Sequence, residues 1–124
     1  MNGTAAFGRD RRIRKRADFL RVQSQGQRAS TPHFTLLVAS AAAGGPSRLG
    51  IVVTKKIGNA VARNRVKRVC RECFRLWPDF VPEGIDLVVI AKEGAPELGL
   101  AQVREEWTRA RAVVLKRCQA VKKA

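Results

Sequence analysis

Alternation of apolar and polar positions marks the strands of this chain, and a three-to-four spacing marks its helices. His33 to Ser40 puts Phe34, Leu36 and Val38 on one side, and Arg48 to Thr54 does the same with Leu49, Ile51 and Val53, so both read as strands. The run Ala41-Ala42-Ala43-Gly44-Gly45-Pro46-Ser47 between them is a flexible connection. Ile85 to Ala91 is almost wholly apolar, as expected of an interior strand. A short helix over 17–25, with Phe19, Leu20 and Val22 apolar, is predicted to stop at Gly26, and 28–30 form a short strand ahead of Pro32. A helix over 60–76 begins after Asn59, a capping residue, and ends before Pro78. A last helix over 100–118 carries Leu100, Val103, Trp107, Ala110 and Val114 at helical spacing. The order α-β-β-β-α-β-α predicts an α+β two-layer sandwich: one central sheet of about four strands with helices packed on it.

The 60–76 helix is the most informative element. At 100° per residue, Arg63, Asn64, Lys67, Arg68, Arg71 and Arg75 share one broad face, with Arg65 at its flank. Ala62, Val66, Val69, Cys73, Leu76 and Trp77 fall on the opposite, core-facing side. An ordinary solvated face would carry pairing carboxylates, and Glu72 is the only one inside the helix. Like charges at i,i+4, as in Arg63, Lys67 and Arg71, cost stability until an anion neutralises them. Arginine forks suit phosphate, and Asn64 offers a donor and an acceptor to a sugar or base edge. Lys55, Lys56 and the helix N-terminus extend the positive field. A strand-like segment precedes this helix, which argues against a helix-turn-helix.

Composition sharpens this. The 124 residues suit one domain, 17–118, between a basic flexible arm at 1–16 and a basic tail at 119–124. The arm holds Arg9, Arg11, Arg12, Arg14, Lys15 and Arg16, with Arg12 and Arg14 candidate RNA contacts. A net charge of +15, from 25 Lys+Arg against 10 Asp+Glu, makes nucleic acid the leading partner. No apolar run approaches the ~18 residues of a membrane span, and no apolar segment near the N-terminus suggests a secretory signal, so a cytoplasmic chain without membrane attachment is expected. Cys70 and Cys73 form a C-x-x-C, but only Cys118 and His33 remain as further ligands, and the pair lies on the apolar side; buried free thiols are expected. The acids Asp18, Asp79, Glu83, Asp86, Glu93 and Glu97 are scattered, so catalysis by the protein alone is not expected, and Asp86 reads as an edge or capping residue.

The stretch Lys55-Lys56-Ile57-Gly58-Asn59-Ala60-Val61, the Arg63-Asn64-Arg65 triplet and Val66-Lys67-Arg68 resemble the bacterial ribonuclease P protein subunit, as does Arg14-Lys15-Arg16-Ala17-Asp18-Phe19. The resemblance covers roughly residues 11–118. It implies a left-handed crossover through the basic helix and a non-catalytic partner of an RNA enzyme. That enzyme, whose RNA subunit holds Mg²⁺, removes the 5′ leader from precursor tRNA. The resemblance assigns Arg63, Asn64, Arg65, Lys67, Arg68 and Arg71 to the catalytic RNA in a one-to-one holoenzyme. It also assigns a leader cleft between the first helix and the sheet to Phe19 and Leu37. Gln23 stands where some relatives have a second aromatic, and Leu37 where some have a tyrosine; the chain has no Tyr. Stacking there would give way to apolar or hydrogen-bonded contact. Phe19 reads equally as a core residue. The competing reading is a general RNA-binding protein with no catalytic partner.

Overall fold

The computed structural model describes residues 11–41 and 44–123. The elements are α1 (Arg16–Gln25), β1 (Gln27–Ser30), β2 (Phe34–Ser40), β3 (Arg48–Val52), α2 (Ala60–Arg75), β4 (Ile85–Ala91) and α3 (Leu100–Lys123). Single 3₁₀ turns at Lys55–Ile57 and Ala95–Glu97 precede α2 and α3. The sheet order is β1-β2-β4-β3. The β1–β2 and β2–β4 pairs are antiparallel, and β3 lies parallel to β4, so the chain crosses over through α2 between them. This is the α+β sandwich expected.

Both sheet faces are covered, which explains the continuous apolar run of β4. Phe34, Leu36, Val38, Leu49, Leu87 and Val89 point into the larger core beneath α2 and α3, where Trp107 is fully buried. Leu37, Ala39 and Val88 point the other way and are covered by Val22 of α1 and by Ile13. Gly50 decides how closely α1 seats: a Cβ there would lie 2.5 Å from Phe19 Cε1, so only glycine lets the Phe19 ring rest on β3.

Three details depart from the sequence expectations. Of the expected arm over 1–16, residues 1–10 lie outside the described residues, and Arg11 to Ile13 are docked. Ile13 N–H donates to the Leu49 carbonyl at 2.9 Å, and Arg12 bridges to Leu49 in parallel. Arg11 Nε donates to the Ser47 carbonyl at 3.0 Å, and its guanidinium lies over the Phe74 ring at 4.9 Å. At the other end α3 continues to Lys123, and Val121 packs against the core, so the segment expected as a tail is largely helix. Asp86, expected at an edge or cap, sits fully buried on an inner strand. Its two oxygens accept from Arg48 Nε and Nη2 at 2.8 Å each, and Oδ2 also from Arg21 Nη2. Arg21 donates as well to the Ser40 carbonyl at 2.8 Å, so this cluster ties α1 to the sheet.

Glu106 makes a corresponding tie for α3. It accepts from the His33 backbone N–H at 2.8 Å and from Thr31 Oγ1 at 2.5 Å, and lies 2.9 Å from His33 Nδ1. Burial alone would raise its carboxyl, but the hydrogen bonds from Thr31 and His33 outweigh it and hold the group below the ordinary 4.5. A depressed carboxylate stabilises the fold above its unfolded-state value and loses that contribution as pH falls through its folded value. Glu106→Gln is therefore expected to cost about 1–3 kcal/mol at pH 7. Urea melts should show that gap closing as the pH is lowered below 4.5.

Candidate nucleic-acid interface

α2 begins where its sequence says. Gly58 turns the chain at a φ of 157°, where an added Cβ would meet the Ala62 Cβ at 2.9 Å. Asn59 then caps the helix, its Oδ1 accepting from Ala62 N–H at 2.9 Å. The 3₁₀ turn ahead of it presents Lys55 and Lys56 to solvent beside that positive end. Val66, Cys70, Cys73 and Phe74 are buried against the sheet. Phe74 takes the place expected of Leu76, which is 46% exposed. Trp77 is buried as expected. Cys70, Cys73 and Cys118 are free and buried. Burial pushes the Cys73 thiol up to about 12 and that of Cys118 to about 11, and raises Cys70 as well, so all three are inert protonated packing groups.

The polar side of α2 divides between two surfaces. Asn64, Arg68, Arg71, Glu72 and Arg75, with Arg12 from the docked arm, line an open hollow of about 450 Å³. Glu72 is taken up by Arg75, whose Nη2 and Nε donate to its two oxygens; this holds the exposed carboxyl below its ordinary value. Among the described residues, no ion pair reaches Arg63, Lys67, Arg68 or Arg71. Arg71 is pulled below the ordinary arginine value first by partial burial and then by the charges of Arg12 and Arg14. An incoming phosphate would relieve the crowding of positive charge around Arg71. Arg65 is turned aside: its Nε donates to the Pro96 carbonyl at 2.9 Å, tethering α2 to the Ala95–Glu97 turn.

Lys67 belongs to the second surface. With Arg14 and Arg16 it walls a groove of about 530 Å³ between α1 and β3, lined by Phe19, Leu20, Gln23 and Val52. Phe19 is half-buried, at once packed on Gly50 and open to the groove. Leu37, read as a cleft residue, is 3% exposed beneath α1 and supports the floor from below. Arg16, Leu20 and Val52 were not assigned to the cleft from the sequence. The signal for them was Gly50, a glycine inside a strand, which marks a close approach.

Among the described residues, no group of three or more His, Cys, Asp or Glu is placed to hold a metal ion. Among the same described residues, no helix is long and apolar enough to cross a membrane.

The chain is similar to proteins of one family. The family model described as Ribonuclease P matches residues 7–115. The ribonuclease P protein component of Syntrophus aciditrophicus is 47% identical over 95 residues, covering 77% of this chain and 79% of that protein. The solved structure of the Staphylococcus aureus RNase P protein superposes with a TM-score of 0.75 at 32% identity, covering 84% of this chain and 94% of that one. That of the Thermotoga maritima RNase P protein gives 0.72 at 35% identity, covering 82% and 96%.

Proposed function

The chain belongs to the ribonuclease P protein family, and from that premise we propose how its two surfaces are shared between two RNAs. The protein is the non-catalytic subunit of ribonuclease P. It assists removal of the 5′ leader from precursor tRNA, while the RNA subunit carries the chemistry and the Mg²⁺. The general RNA-binding reading gives way to this one.

The outer face of α2 takes the catalytic RNA, one protein to one RNA. Arg63, Arg68 and Arg71 engage its phosphates, Asn64 meets a sugar or base edge, and Lys55, Lys56 and Arg12 widen the field. Arg65 contributes at the flank with the donors its tie to Pro96 leaves free. The groove takes the single-stranded leader. Arg14, Arg16 and Lys67 track its backbone, and Phe19 with Val52 supports an unstacked base. Gln23 replaces stacking with an amide one turn further along α1. The observation that carries this reading is the placement of a cationic wall against an aromatic, apolar floor, beside but distinct from the α2 hollow.

The reading is tested by cleavage of a 5′-extended precursor tRNA at low Mg²⁺, with the catalytic RNA alone, the protein alone, and both. Activity mainly in the mixture supports it; cleavage unaffected by the protein counts against it. Phe19→Leu, which keeps the packing on Gly50, is expected to weaken holoenzyme binding of leader-bearing precursor by about 1–3 kcal/mol while leaving mature tRNA unchanged. Equal losses for both ligands would remove the base-supporting role.

A further inference from the structure

Away from both surfaces, α3 carries another cationic feature. Trp77, just past the end of α2, is only 8% exposed, and Arg104 lies across its ring with Cζ 3.8 Å from the ring centroid. The Arg111 guanidinium stands 5.5 Å from the same centroid. The two arginines are seven residues apart on α3 and so share a flank. Arg111 is held in place, its Nη2 donating to the Asp79 carbonyl at 2.8 Å and its Nε reaching towards that of Phe80 at 3.5 Å. Arg104 has no acceptor: among the described residues it makes no hydrogen bond and no ion pair, and its side chain is exposed. Its platform is rigid. Trp77 packs on Phe80 at 4.7 Å between centroids, and Phe80 on the fully buried Trp107 at 5.2 Å.

A guanidinium resting on an aromatic ring by its face keeps its N–H edge outward. That edge matches two oxygens of one phosphate, and little freedom remains to be lost when it binds. An isolated surface arginine gains little from an anion, but a stacked one beside a second fixed cation is prepared for it. Leu76, 46% exposed on the preceding residue, offers apolar support next to the charge. We propose that Arg104, held on Trp77 beside Arg111, is a further phosphate-binding site for an RNA backbone, at the α2–α3 corner. It lies apart from the α2 hollow and from the Phe19 groove, and neither of those is lined by Arg104, Arg111 or Trp77.

The test compares wild type with Arg104→Met, which keeps the indole covered without charge, and Arg104→Lys, which keeps the charge without the fork. Affinity for the catalytic RNA, and of the assembled holoenzyme for mature tRNA, is measured from 50 to 200 mM salt. The expected result is a log–log slope shallower by about 0.7–0.9 for Arg104→Met, so that wild type loses about threefold more affinity across that range. Arg104→Lys recovers the slope with weaker binding. A change in the catalytic-RNA titration identifies that RNA as the occupant; a change in the tRNA titration identifies tRNA. Slopes unchanged in both overturn the site, and Arg104 then only shelters Trp77. The same drop should persist in a protein already lacking Arg63, Lys67, Arg68 and Arg71, which separates this site from the α2 face.

Discussion

Replacing Arg63, Arg68 and Arg71 together by alanine is expected to flatten the salt dependence of catalytic-RNA binding by about 2.4 in log–log slope, at roughly 0.7–0.9 per phosphate contact. Across a fourfold rise in salt the wild type should then lose roughly 30-fold more affinity than the variant. The fold should survive, because none of the three side chains makes an ion pair among the described residues. Removing like charges at i,i+4 relieves repulsion, and alanine is the strongest helix former. Titration of the catalytic RNA at several salt concentrations, with a melting curve of the free protein beside it, measures both effects. A variant with wild-type slope would show that this face points away from RNA. A variant that binds weakly because it has unfolded would show itself in the melt.

The second large effect is on stability. Asp86 is fully buried and receives both Arg48 and Arg21, so Asp86→Asn removes a charge on which two guanidinia converge. Breaking a buried pair from one side costs about 3–5 kcal/mol. The arginines here retain 23% and 27% side-chain exposure and can regain some water, which places the expected loss near the lower end. About 3 kcal/mol corresponds to roughly 10 °C in Tm for a chain of this size. Arg21→Ala should cost less, since Arg48 still satisfies both carboxylate oxygens. A double-mutant cycle by thermal melting measures the Arg21–Asp86 coupling directly. A loss for Asp86→Asn below about 1 kcal/mol would mean the charge is not what holds α1 to the sheet.

Periodicity made α2 readable because one helix carries both its core contacts and its cationic face, and spacing alone sorts the two. Strand alternation likewise put Phe34, Leu36 and Val38 on the correct face, and the apolar run gave β4 its bounds from Ile85 to Ala91. The errors came where partners lie far apart in sequence. Asp86 looked peripheral because nothing near it announces Arg21 or Arg48. The groove was only half visible: Phe19 could be named, but Val52 reaches it through a fold contact and not through spacing. At the C-terminus charge outweighed pattern. Val114, Cys118 and Val121 continue the helical repeat, yet the lysines around Val121 read as a tail. Leu76 and Phe74 exchanged roles because the apolar side of α2 was centred one position off.

The strand order has a consequence for the ribosome-bound chain. β4 is the last strand to be synthesised, yet it sits between β2 and β3. Until Ile85–Ala91 has emerged, β3 lacks the strand it pairs with, and among the four described strands only β1 and β2 can pair, as a short hairpin that is marginal in isolation. The seat of α2 is then also missing, because Leu87 and Val89 of β4 belong to the core beneath it. Folding therefore waits on distant pairings whose closure is intrinsically slow. A nascent chain stalled before Ile85 would carry the whole basic helix with nothing to hold its polar face in one orientation. The surface for the catalytic RNA thus comes into being only after about three-quarters of the chain has been made.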